Sequence, residues 1–181
     1  MTVKETKLKG CFIIEPKIFE DKRGYFLESY NQKTFNKLIG TNINFVQDNE
    51  SFSSKGVLRG LHYQTGAHAQ AKLVRVLKGK VLDVAVDLRK ESQTFGQYTA
   101  VELSEENRKQ LFVPRGFAHG FIVLENDTLF SYKCDNYYDK TSESGIIFND
   151  KALNINWNFP EGKMIVSEKD KNLTTFENLF K

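Results

Sequence analysis

Residues 57–64 read Val-Leu-Arg-Gly-Leu-His-Tyr-Gln, a strand-like run with two polar groups, Arg59 and His62, set into it. Strict alternation along a strand sends Arg59 and His62 to opposite faces. Gly60 stands between them, and a glycine inside a strand often marks a bulge that re-aims its neighbours. One bulge brings the guanidinium and the imidazole into the same cavity. Taken in isolation the pair reads more simply as a core histidine and a surface arginine, so the rest of the chain has to decide.

Working outward, the sequence is a series of short strands. Cys11 to Ile14 is an apolar run limited by Pro16 to an edge or strand end. Asp21-Lys22-Arg23-Gly24 is a turn leading into a strand over 25–30, and Phe35, Leu38 and Ile39 have the spacing of one short helix ending near Gly40. A segment over 45–49 precedes the central run. Lys72 to Leu77 and Val81 to Leu88 read as an antiparallel hairpin turning at Lys78-Gly79-Lys80. In its second member Leu82, Val84, Val86 and Leu88 share a buried face, with Asp83 and Asp87 on the other. Strands over 98–103, 110–113, 120–124 and 129–134 continue the series, and the expectation is a sandwich or small barrel. Trp157, the one tryptophan, reads as a packing residue, and the terminus after Asp170 as polar and surface-lying.

Bulk properties narrow the function classes. The 181 residues, 40% apolar and 27% charged, fit a single globular domain spanning 1–181. A net charge of +3, with no basic block, argues against nucleic acid as a partner. No segment has the length of a membrane span, and Met1–Gly10 lacks the apolar run of a signal peptide. Cys11 and Cys134, without any CxxC spacing, read as free thiols of a cytoplasmic protein.

Pro114-Arg115-Gly116-Phe117-Ala118-His119 has the Pro-x-Gly-x-x-His spacing of the second cupin motif, which implies a double-stranded β-helix barrel with His119 pointing inward. A metal-binding cupin would carry several more ligands. This chain has three histidines, and His68 lies in a loop-like Gly-Ala-His-Ala segment. Zinc or iron normally takes three or four side-chain ligands, so no metal is expected.

Several blocks taken together resemble the dTDP-4-dehydrorhamnose 3,5-epimerase family: Arg59 to Gln64, Gln70 to Val76, Gly79 to Arg89, Pro114 to Phe121, Tyr132 to Tyr138 and Ser167 to Asp170. Their order and spacing match over nearly the whole chain. Departures fall at His68, where the family usually has a proline-bearing loop, and at Lys151, which replaces a common proline after Asp150. The resemblance implies a mostly β, cupin-type jelly-roll barrel with a few short helices, acting without metal or cofactor on a dTDP-linked 4-keto-6-deoxyhexose on the route to dTDP-L-rhamnose. It also implies site residues. His62 is the base, Asp170 orients it, Tyr132 is the acid on the opposite face, and Lys72 sits near the enolate oxygen. Arg23, Arg59 and Lys169 suit the pyrophosphate, Glu28, Gln47 and Asn49 the thymine edge, and Tyr138 stacks on the base, with His119 and Glu143 also binding. Arg23 and Glu28 are implied to come from the amino-terminal strands of a partner in a homodimer. Three other readings stay open: a relative inverting a single carbon or using another 4-keto sugar, a metal-dependent cupin oxygenase or isomerase, and a non-catalytic sugar-nucleotide-binding module, against which the complete acid, base and cation set argues.

Overall fold

The computed structural model describes residues 1–181. Along the chain the elements are β1 (Thr2–Glu5), β2 (Phe12–Glu15), β3 (Ile18–Asp21), β4 (Gly24–Leu27), α1 (Gln32–Ile39), β5 (Gln47–Ser53) and β6 (Val57–Gln64). There follow β7 (Lys72–Lys78), β8 (Lys80–Asp87), β9 (Tyr98–Ser104), β10 (Gln110–Val113), β11 (Phe117–Val123) and β12 (Thr128–Cys134). The last elements are β13 (Glu143–Gly145), β14 (Ile165–Val166), α2 (Glu168–Lys171) and α3 (Phe176–Leu179). One six-stranded sheet has the order β1-β2-β10-β7-β12-β5; the other has β13-β6-β11-β8-β9, with β14 added beside β6. From β5 to β8 the chain changes sheet at every strand, and it does so again from β9 to β12. This is the winding of a jelly roll.

Alternation fills the space between the sheets. Val74, Val76, Leu111, Val113 and Phe130 from the first sheet meet Val81, Ala85, Leu103, Phe117, Phe121 and Val123 from the second. The opposite face of the second sheet is also covered. Leu58, Val84, Val86, Ala118 and Ile122 pack there against Ile146, Phe148, Leu153 and Trp157 from the carboxyl-terminal third. On the first sheet, α1 lays Phe35 over Ile14, Leu73 and Phe112. The helix begins at Asn31, whose side chain accepts the Thr34 N–H, and stops at Gly40 in the left-handed region.

Three expectations need correction. Lys72–Lys78 and Lys80–Asp87 are strands, but not a hairpin. β7 uses its two edges on β10 and β12, while β8 pairs with β11 and β9. The turn at Gly79 therefore carries the chain from one sheet to the other. Secondly, β8 is not half-buried. Asp83 and Asp87 are both 0% exposed, because one face of β8 looks into the barrel and the carboxyl-terminal third covers the other. Asp87 stays charged there through Arg89, Ser92 and Thr94. Burial pushes its carboxyl up, but these bonds outweigh burial and bring it to about 2. Thirdly, the end of the chain is not simply polar, since Phe176 and Phe180 pack with Phe95.

Trp157 is buried as expected, its indole N–H donating to the Phe148 carbonyl at 2.8 Å. His68 is exposed, and both cysteines are buried free thiols. No helix is long and apolar enough to cross a membrane.

Candidate active site

The bulge at Gly60 exists. On the β6–β11 ladder His119 pairs with His62 and Phe121 with Arg59, so Gly60 and Leu61 together oppose Gly120 alone. Gly60 has φ +124°, and a Cβ there would lie 2.6 Å from the Gly120 Cα. Only glycine meets both demands. The extra residue turns Arg59 and His62 to one side, and both line a cavity of about 640 Å³ between the sheets.

Each wall follows from strand alternation. β5 contributes Asn49 and Ser51, with Gln47 at the adjoining outer recess. Lys72 opens β7, Tyr132 lies on β12 and His119 on β11, and Phe121 and Phe130 stack at 4.1 Å between centroids beneath them. The last wall is the segment from Ile165 to Asp170, which β14 docks parallel to β6. Ser167 caps the short helix α2 by accepting the Asp170 N–H at 3.1 Å, and this presents Asp170 to His62.

His62 Nε2 lies 2.8 Å from Asp170 Oδ1, and Asp170 Oδ2 accepts the Gly60 N–H at 3.1 Å. Burial raises the Asp170 carboxyl, but the bond and charge of His62 and the backbone donor outweigh it and hold the group below the usual range. With Nε2–H donated to Asp170, Nδ1 of a neutral His62 is the free basic nitrogen. Lys72 stands with its Nζ 5.7 Å from the centre of the Tyr132 ring. Burial lowers the Lys72 ammonium, opposed in part by Cys134, Asp83 and Glu143. Burial raises the Tyr132 phenol, keeping it a proton-bearing donor at neutral pH.

At the mouth, Glu143 Oε2 accepts from Tyr138 Oη at 3.0 Å and from Lys169 Nζ at 2.6 Å. Gln47 accepts the Tyr138 N–H and donates to Asn49 Oδ1 at 3.1 Å. Arg59 donates to Ser53 Oγ from Nη2 at 3.2 Å.

His62, Lys72, Tyr132, Asp170, Asn49, Arg59, His119 and Lys169 thus border the cavity, and Gln47, Tyr138 and Glu143 the recess that shares its rim. Arg23 and Glu28 do not. Arg23 sits on the two-stranded β3–β4 ribbon, exposed and paired with Asp21, and Glu28 accepts from Asn31. No three His, Cys, Asp or Glu side chains converge in a metal-holding arrangement.

Sequence reasoning missed Ser53, Ser167 and Asp83. Ser167-Glu168-Lys169-Asp170 carries a legible capping signal. Asp83 carried the opposite signal, since a carboxylate alternating with apolar residues reads as solvent-facing.

The arrangement can remove a proton from one face of a bound molecule, hold an anion beside Lys72, and return a proton from Tyr132. The family model described as dTDP-4-dehydrorhamnose 3,5-epimerase matches residues 5–178. A dTDP-4-dehydrorhamnose 3,5-epimerase of Shigella flexneri is 52% identical over 172 residues, 95% of this chain and 94% of its own. The crystal structure of the enzyme so named from Elizabethkingia anophelis superposes with a TM-score of 0.96 at 60% identity, covering 98% of this chain and 97% of the other. A dTDP-6-deoxy-D-glucose-3,5-epimerase of Legionella pneumophila, solved with dTDP-4-keto-L-rhamnose, gives 0.94 at 48% identity, covering 99% and 94%.

Proposed function

Because the chain belongs to the dTDP-4-dehydrorhamnose 3,5-epimerase family, we propose that it inverts carbons 3 and 5 of dTDP-4-dehydro-6-deoxy-D-glucose, giving dTDP-4-dehydro-L-rhamnose. The observation that carries the reading is the His62–Asp170 pair facing one cavity with Lys72 and Tyr132. Carbons 3 and 5 flank the carbonyl at carbon 4, so both carry protons made acidic by it. Nδ1 of His62 takes such a proton, and Asp170 stabilises the imidazolium that results. The electron pair moves onto the carbonyl oxygen, where the Lys72 ammonium stabilises the enolate. Tyr132 then protonates the carbon from the opposite face, and both groups recover their protonation from solvent before the second inversion. Every bond change is a proton transfer, so the reaction needs no redox partner.

The nucleotide lies along the mouth. Arg59 and Lys169 suit the diphosphate, Gln47 and Asn49 the thymine edge, and Tyr138 the base plane. Glu143 and His119 complete the binding set. In the homodimer we propose, the β3–β4 ribbon of each subunit reaches its partner's cavity with Arg23 and Glu28. The exposed Phe19, Tyr25 and Phe26 of that ribbon support this, since three neighbouring aromatics left open to water are the composition of an interface. We place the protein in the cytoplasm, where nucleotide sugars are made.

The test is incubation of dTDP-4-keto-6-deoxyglucose with the protein in heavy water. Deuterium at carbons 3 and 5 with inversion at both is the expected result. Incorporation at one carbon assigns a single-carbon epimerase, and incorporation at neither overturns the reading.

A further inference from the structure

Asp83 is fully buried, lies between the sheets, and does not border the cavity. Its only hydrogen-bond partner is His119, whose Nε2 lies 2.9 and 3.0 Å from its two oxygens. Around the pair the barrel is apolar, with Phe121 directly opposite Asp83 on β11 and Val101 opposite it on β9. A buried hydrogen-bonded polar pair of this kind is commonly no more stable than apolar groups of the same shape. Folding therefore gives little reason for a carboxylate here, whereas the cavity gives one. Asp83 stands behind one of its polar groups, His119.

We propose that Asp83 is a positioning residue for the epimerisation. It fixes the His119 proton on Nε2, so that Nδ1, unpartnered within the chain, accepts from a substrate hydroxyl. This inference rests on the function proposed for the cavity.

One measurement tests it without using turnover. In the parent protein, nitrogen NMR of the three histidines is expected to show His119 as the Nε2–H tautomer. A proton on Nδ1 instead overturns the proposal.

Turnover then adds a second reading. In Asp83→Asn the spectrum is expected to show His119 no longer held in the Nε2–H tautomer, and kcat to fall about tenfold or more, with dTDP affinity within about threefold of the parent. A parent-like spectrum and rate in the variant overturn the positioning role. If Asp83→Asn does not fold, the parent spectrum decides alone. If the parent fails to epimerise, the function is wrong, while the NMR result still bears on Asp83.

Discussion

His62 and His119 stand directly opposite each other on β6 and β11, and each sets Nε2 against a carboxylate. Their surroundings differ. The His62 side chain is 29% exposed and that of His119 7%. Asp170 has a second donor, the Gly60 N–H, and arrives on a capped turn 108 residues from its partner. Asp83 has His119 alone and comes from the neighbouring strand of the same sheet. A base that works repeatedly must exchange its proton with solvent, and the open pair can. A closed pair cannot, but in its low-dielectric setting its charge acts strongly on whatever lies beside it. Two side-chain pairs of one composition thus acquire different work from burial alone.

The comparison can be broken most forcefully at the open pair. In His62→Ala turnover is expected to fall by roughly two to four orders of magnitude, while calorimetry finds dTDP affinity unchanged. A parent-like rate would remove His62 from the mechanism.

At the closed pair the expected damage is to stability. His119→Ala leaves the Asp83 carboxylate buried without a hydrogen-bond partner, a loss of roughly 3–5 kcal/mol in urea unfolding at about pH 8. Burial, the largest influence on Asp83, already holds its carboxyl above the usual range against His119 and Lys72. Losing His119 raises it further, so the folded variant takes up a proton more readily than the unfolded chain. The stability deficit should therefore shrink as pH falls toward about 4. A deficit independent of pH would mean that no charge is stranded there.

The smallest effect is expected for Asp170→Asn. An amide cannot stabilise the imidazolium, and a hydrogen bond to a charged group contributes about 1.5–3 kcal/mol, so kcat falls roughly ten- to a hundredfold. Because the folded state holds the Asp170 carboxyl below its usual value, its ionised form stabilises the parent above about pH 4, and that contribution disappears as pH falls. The variant should lack this part of the acid-side loss of stability.

Much of this architecture was legible in the sequence, and the reasons are local. Alternation exposed the strands, Gly40 the end of α1, and Gly60 the bulge, because each is a property of a few consecutive residues. What failed depends on distant parts of the chain. A glycine turn between two apolar strands looks the same whether the strands then pair or part into opposite sheets, and at Gly79 they part. Asp83 and Asp87 looked solvent-facing because the residues burying them lie on other strands and, for Asp87, in the turn that carries Arg89, Ser92 and Thr94. The partnership of His62 with Asp170 was accessible only through family resemblance. Arg23 and Glu28 came from the same source, and within one chain they stay outside the cavity.

The contact between Gly60 and Gly120 works as a calliper. A methyl group on Gly60 would meet the Gly120 Cα and the His119 carbonyl, and one on Gly120 would meet the Arg59 carbonyl at 2.8 Å. The distance between β6 and β11 is therefore set by two absent side chains, and with it the span from His62 to His119. Widening that jaw would leave every acid, base and cation of the cavity in place while spoiling the interval between them. An error of about 1 Å can cost roughly a hundredfold in rate. In this barrel the gauge of the chemistry is held by two residues that have no functional group.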